Sequence, residues 1–429
     1  MRVRRLDWAA PEKVAAGMRE WFASDSEAID LSSIERQVAE RGDEALLELT
    51  ARFDATEAGD LRLGVPLGEA SRALESLDPT VRAALELSAE NVRLVAEAQT
   101  GESRTVELPQ GQTVTVGHVA LGSAGIYAPG GRASYPSSLI MACVPARVAG
   151  VERLVVVSPP REDGRIDPVT LAAAALCGVD EIYAVGGAQA IFALARGTES
   201  IRPVDVIAGP GNAWVQAAKK AVFGEVAIDS LAGPSDLTVV FDRDTDLRLA
   251  ALDLCAQAEH GAESPLVAVA VNDGDLAALE DEVGRIAATQ PSVNDCRLAL
   301  VEAPSAGEAI NLVNEIAPEH LQLMDGASAA LAGEVRTAGC VFTGPEAATA
   351  FGDYVAGSNH ILPTDGTGKS FGPVSPATFR RGTARVSLTA QAAGLLAQAL
   401  GALAKAERLP VHGLSASARR NEDEQNRDS

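Results

Sequence analysis

Between residues 151 and 240, short β-branched runs alternate with alanine-rich stretches of helical period, which predicts βαβ units around a parallel sheet. Leu154-Val155-Val156-Val157 reads as a buried strand closed by Pro159-Pro160, and Asp167-Pro168 supplies an N-cap with proline at the first helical position. That helix should end near Gly178. Strands over 181–185, 204–208 and 226–229 continue the series, with helices beginning near Gln189 and Asn212. A second series follows, with strands near 237–241, 266–271 and 298–301 and helices near 247–260 and 307–316. Two α/β units are therefore expected.

Ahead of them, Ser32-Ser33-Ile34-Glu35 has the form of a capping box, and Ile34, Val38, Ala45, Leu46 and Leu49 recur at helical spacing. The N-terminal part should be mostly helical. After Phe371-Gly372-Pro373 an alanine- and leucine-rich helix is expected over 389–406, then a polar, frayed tail over 415–429. No repeat of fixed period is found.

At 429 residues the chain is long enough for two or three domains, one of them discontinuous. A net charge of -23 disfavours nucleic acid and anionic membrane surfaces as partners. The five cysteines are odd in number, widely spaced and without a CxxC pair, which argues against a disulfide framework or a cysteine zinc site and fits a reducing cytoplasm. Asp7 and Glu12 interrupt the basic start and no apolar segment follows, so no targeting signal is expected. The longest apolar stretch, 138–157, is broken by Arg147, Glu152 and Arg153 and is no plain membrane span.

Four of the five histidines stand in polar clusters of the second half, which points to an enzyme. Gln257 and His260, three apart in a helical pattern, leave one face and can share a metal ion, or simply hydrogen-bond each other at a helix end. Glu259 points elsewhere, as a solvated charge. Glu319-His320 follows Pro318, where a loop can present two bases to a cleft; an imidazole with pKa ~6.5 suits general-base work at neutral pH. A capping or surface pair is the plainer alternative. Asp353 and His360 share a glycine-punctuated stretch expected to be a loop, and Glu407 and His412 come just after the last helix. Either pair is also compatible with an ordinary turn or exposed terminus. His118, in a strand without acidic neighbours, reads as structural.

Three glycine turns follow strands: Tyr127-Ala128-Pro129-Gly130-Gly131, Gly186-Gly187-Ala188-Gln189 and Gly209-Pro210-Gly211-Asn212. The last lacks the full dinucleotide fingerprint, because Trp214 holds the third glycine position. Each is compatible with a tight βα turn alone; together they favour a nucleotide or anion site.

With Ala232-Gly233-Pro234-Ser235, Ala317-Pro318-Glu319-His320-Leu321 and Gly352-Asp353-Tyr354 in the same order, the chain resembles the histidinol dehydrogenase family from about Leu31 to His412. The resemblance implies a zinc ion on Gln257, His260, Asp353 and His412, and NAD on Tyr127, Gln189 and Asn212. It implies histidinol contacts from Ser235, Gln257, His260, His320, Asp353, Glu407 and His412, with His360 nearby and Glu319 and His320 as proton acceptors. The implied activity is NAD-dependent oxidation of L-histidinol to L-histidine through bound L-histidinal, the last two steps of histidine biosynthesis.

The implied architecture is two tandem, incomplete Rossmann-like parallel-sheet domains with small helical terminal segments, in a domain-swapped homodimer. An N-terminal arm would cover 1–30. The first domain would combine 31–120 with 236–372, the second would cover 121–235, and a C-terminal segment 373–429. Cys143 stands in apolar surroundings without a basic partner and reads as core rather than nucleophile. A relative oxidising another primary alcohol to a carboxylate, or a non-catalytic zinc- or nucleotide-binding protein, are the competing readings. Glu407 and His412 count against the first, and Glu319-His320 against the second.

Overall fold

The computed structural model describes residues 1–23, 29–54, 61–130, 134–293 and 295–419. Gly131 of the first glycine turn and residues 420–429 of the tail lie outside them. The chain forms two compact units, one of residues 1–99 and 121–379, the other of 100–120 and 380–429.

The larger unit contains two all-parallel sheets. The first has five strands in the order Glu181–Ala184, Arg153–Ser158, Ser123–Tyr127, Val206–Ala208, Ala227–Ile228. The second has six, in the order Arg2–Leu6, Arg297–Glu302, Pro265–Ala270, Leu237–Phe241, His320–Leu323, Cys340–Thr343. The apolar runs are continuous because both sheet faces are covered. Leu154 and Val156 enter one core cluster with Leu139 and Ile140, while Val155 and Val157 enter another with Ile191 and Phe192. In the second sheet Val239 and Val240 divide between two further clusters in the same way. Cys143 is fully buried in the first of these cores.

Helix starts follow side-chain chemistry. Asp78, Asp167, Asn212, Asp246, Asp275 and Ser305 each accept from main-chain N–H groups of the first turn they cap. The expected capping box at Ser32 is not formed. Ser32 is already helical and its amide donates to Asp30, while Glu35 turns to Arg196.

The expected grouping of 31–120 with 236–372 also gives way. The helices Ser32–Phe53, Leu67–Glu75 and Pro79–Ala98 pack on the helices Gly187–Arg196, Pro168–Leu176 and Pro136–Ala149, which flank the first sheet. Leu63 and Val65 are hydrogen-bonded to the edge strand there, through Ala184 and Ile182. The N-terminal arm is more than an arm: Arg2–Leu6 is an edge strand of the second sheet, and the helix Pro11–Phe22 packs on Ala306–Ile316.

The smaller unit is not simply helical. Arg380–Ser387, Thr113–Ala120 and Arg104–Glu107 form an antiparallel sheet, accompanied by the packed helices Ala390–Ala406 and Pro410–Ser417. Residues 415–417, expected to fray, close the second of these helices. His118 lies exposed on the middle strand. Among the described residues no helix is long and apolar enough to cross a membrane.

Candidate active site

Glu319 and His320 are placed by a helix that stops and a strand that starts. Ala317 takes the left-handed conformation that ends Ala306–Ile316, and His320 opens the strand beside Leu237. The pair is therefore not on an open loop: Glu319 is 5 % and His320 2 % exposed. Gly339 makes room for them, since a Cβ there would lie 2.7 Å from the Glu319 carbonyl oxygen.

Asp236, which the sequence did not single out, holds both residues. Its amide donates to Glu319 Oε2 at 3.0 Å, and its carboxylate accepts the Glu319 amide at 3.0 Å. Its carbonyl lies 3.2 Å from His320 Nδ1. The other imidazole nitrogen, Nε2, is 3.5 Å from Asp353 Oδ1. Asp353 sits in a short helix, Thr349–Tyr354, rather than in the expected loop. Its second oxygen is 3.9 Å from His260 Nε2, and its carbonyl is 2.7 Å from His360 Nδ1. Three histidines thus converge on one aspartate. His360 is closed off behind it, with Nε2 3.1 Å from Ser138 Oγ.

Gln257 is buried in the last turn of Leu247–Ala258 and donates Nε2 to Ser235 Oγ at 2.7 Å. His260 falls two residues beyond that helix, in a turn whose amide reaches back to the Gln257 carbonyl. Glu259 is exposed, as expected. Beneath the site the buried Gln322 donates to Asp253 at 2.7 Å, bracing the helix of Gln257 against the strand of His320.

The electrostatics follow from this crowding. Desolvation opposes charge on His320, but Glu319, Asp353 and Asp236 outweigh it and raise its pKa to about 9. Burial raises the carboxyl of Asp353, yet hydrogen bonding and attraction to His320, helped by His360 and His260, hold it below the usual range. Burial pushes Glu319 up despite His320, and Asp236 is pushed well above the ordinary carboxylate value by burial and the neighbouring Glu319. His260 and His360 are lowered, in each case first by desolvation and against the pull of Asp353. His260 is the most open of the three, its side chain 42 % exposed.

A second site forms at the first sheet. Tyr127, Gly187, Gln189, Asn212, Pro159 and Trp214 line a cavity of about 570 Å³, together with the Arg52-Phe53-Asp54 end of an N-terminal helix. All three glycine turns contribute, each just past the carboxyl end of a strand, where open α/β sheets bind ligands. Two helices of ten residues point their amino ends there, Gly187–Arg196 without a side-chain cap. Gln189 is 2 % exposed, and its Nε2 finds no acceptor among the described residues. A buried donor left open in a cavity of this kind fits a dinucleotide. A larger cleft of about 1140 Å³ between Leu67–Glu75 and Pro168–Leu176 holds none of the expected site residues.

The expected zinc ligands divide between the units. Gln257, His260 and Asp353 stand together, the Gln257 amide bonding Ser235 through its nitrogen and not its oxygen, at the end of a helix whose dipole favours a cation. This N/O set fits zinc. Among the described residues no group of three or more His, Cys, Asp or Glu closes around a metal position. Glu407 and His412 belong to the smaller unit: Glu407 caps Ala390–Ala406, and His412 lies within a further helix, Pro410–Ser417, not in an unstructured end.

A doubly covered α/β fold with a buried carboxylate–imidazole pair and a cavity at strand ends suits a dehydrogenase. The histidinol dehydrogenase profile matches residues 21–420. Histidinol dehydrogenase of Haloarcula marismortui is 40% identical over 427 residues, 98% of this chain and 100% of that one. The enzyme of Rhodospirillum rubrum is 41% identical over 413 residues, 95% and 94% of the two chains. The crystal structure of histidinol dehydrogenase from Elizabethkingia anophelis superposes with a TM-score of 0.90 at 29% identity, covering 98% of each chain. The chain belongs to the histidinol dehydrogenase family.

Proposed function

We propose that this enzyme oxidises L-histidinol to L-histidine through bound L-histidinal, with zinc and two molecules of NAD, as the last two steps of histidine biosynthesis. The observation that carries the reading is the cluster of buried Glu319 and His320 with Asp353 and the more open His260, beside Gln257, in a chain of this family. Zinc on Gln257, His260, Asp353 and the smaller unit's His412 would supply a Lewis acid that orients an imidazole-bearing alcohol. NAD, held by Tyr127, Gln189 and Asn212, would supply the hydride acceptor in both oxidations.

The protein's own groups manage the protons. Asp353 helps raise the proton affinity of His320; once that carboxylate is engaged as a ligand, His320 would lose this attraction, and with Nδ1–H kept on the Asp236 carbonyl its Nε2 would be open to accept the hydroxyl proton as the carbinol hydride departs. Glu319 takes one proton from the water as its oxygen adds to the aldehyde carbon; the resulting gem-diolate gives up the second hydride, and its remaining hydroxyl proton passes to solvent to leave the carboxylate. Ser235 and Glu407 complete the substrate contacts, with His360 backing Asp353. The smaller units are exchanged between protomers of a homodimer in the cytoplasm.

The test is stoichiometry. Each L-histidinol should give two NADH and one histidine; one NADH with free histidinal accumulating would sink the mechanism.

A further inference from the structure

Lys219 and Asp229 form an ion pair away from the acid–base cluster, and both side chains are only 1 % exposed. Neither takes part in the proton chemistry. Both also hydrogen-bond one residue of the cofactor-side loop. Lys219 Nζ donates to the Gly209 carbonyl at 3.2 Å, and Asp229 Oδ2 accepts the Gly209 amide at 2.8 Å. Both peptide groups flanking the Gly209 Cα are thereby fixed by a single ion pair. Gly209 needs the restraint: its φ is +120°, and a Cβ there would lie 2.1 Å from the Tyr127 carbonyl oxygen. Two and three residues on, Gly211 and Asn212 line the cavity, and Asn212 caps the helix that carries Lys219.

The other carboxylate oxygen, Asp229 Oδ1, accepts the amide of Ser230 at 2.7 Å. Ser230 opens the segment that runs through Ser235 and Asp236 into the second sheet.

Stability is a poor explanation for such a pair. Removing two charges from water is costly, and replacing a buried ion pair by apolar residues of like volume is often neutral or stabilising. Geometry is the better one, because only a donor and an acceptor together can hold both the N–H and the C=O of Gly209. We propose that Lys219 and Asp229 are positioning residues which set the Gly209–Asn212 loop for dinucleotide binding. The proposal rests on the reading of the cavity as the NAD site.

The full-length protein tests it through direct calorimetric titration with NAD, beside steady-state kinetics and thermal melting. The double variant Lys219→Met/Asp229→Leu leaves main-chain groups of Gly209 and Ser230 without these partners, so it should melt lower than the wild type, bind NAD at least tenfold more weakly and keep kcat within a few-fold at saturating NAD. KM for histidinol should hardly move. Should the double variant fail to fold, Asp229→Asn keeps the shape but loses one of two acceptors, and its NAD affinity should fall several-fold. Wild-type NAD affinity in whichever variant folds would overturn the proposal, leaving the pair a packing element. Absence of NAD binding by the wild-type protein would instead overturn the assignment of the cavity, and the proposal with it.

Discussion

Asp236 and Glu319 exchange main chain for side chain in both directions: each amide donates to the other's carboxylate, and both bonds measure 3.0 Å. Two strands that are neighbours in the sheet are thus joined one step before their ladder begins. The arrangement fixes Glu319 in a buried position; burial raises the proton affinity of both carboxylates, and the nearby Glu319 adds to the rise at Asp236. It also adds negative potential at His320.

Changing Asp236 should separate those two effects. Asp236→Asn keeps an acceptor for the Glu319 amide and removes the charge, so its main result should be a lower apparent pKa for His320. Asp236→Ala also leaves a buried amide without a partner, at a cost of about 1–3 kcal/mol. Chemical denaturation of the two variants should show the destabilisation mainly in the alanine protein. Equal loss in both would mean that charge, not the hydrogen bond, stabilises the junction.

The pH dependence of stability has a definite sign. His320 is raised to about 9, above its unfolded value of ~6.5, so the stability it contributes is complete below ~6.5 and is lost as pH climbs through about 9. Asp353 is shifted the other way, so its contribution is present above the ordinary carboxylate range and lost on acidification. Chelator-treated protein should therefore melt at falling temperature between pH 7 and 10, and His320→Asn should flatten that slope. An unchanged slope in the variant would rule His320 out as its source. Zinc shared with Asp353 would draw that carboxylate from His320, so the alkaline limb should move to lower pH when zinc is restored.

Glu319→Gln should slow the oxidation of supplied histidinal by ~10²–10⁴-fold, the usual cost of a lost general base. Reduction of histidinal by NADH needs no activated water and should be spared. His320→Asn should impair both directions. If Glu319→Gln slows reduction as severely as oxidation, the two residues act as one unit.

His260→Ala should lose bound zinc and activity together while the fold persists, because His260 is partly exposed and carries no core packing. Full zinc content in the purified variant would contradict the ligand assignment. Mixing His260→Ala with His412→Ala subunits should restore part of the activity if protomers exchange their smaller units, since one site of each mixed dimer then carries neither lesion. No recovery after verified subunit exchange would mean that each chain completes its own site.

The sheets were legible because their strands are covered on both faces and read as unbroken apolar runs, Leu154 to Val157 most plainly. What periodicity could not show was which sheet the helices of residues 32–98 cover, since an apolar stripe does not name its partner. The strand 380–387 was missed because residues such as Arg381, Arg385 and Val386 are exposed and give no period of two. Among site residues, Gln257, His260, Glu319, His320 and Asp353 were marked by their chemistry, and the structure brings them together. Asp236 and Lys219 were not, because a single acidic or basic residue acquires its meaning only from what it faces after folding.

The two sheets of the larger unit offer opposite ends to chemistry. The cavity of Tyr127, Gln189 and Asn212 opens where strands finish, while Asp236, His320 and Cys340 stand where strands begin. Turns between strands and helices at the first site can therefore be lengthened or recast without touching the register that sets Glu319 and His320. The chain is modular in that sense: if the first site takes the dinucleotide and the second the alcohol, as proposed, a redesign for an altered dinucleotide would rebuild loops of one half, whereas a redesign for an altered alcohol would have to respect the first residues of the strands in the other.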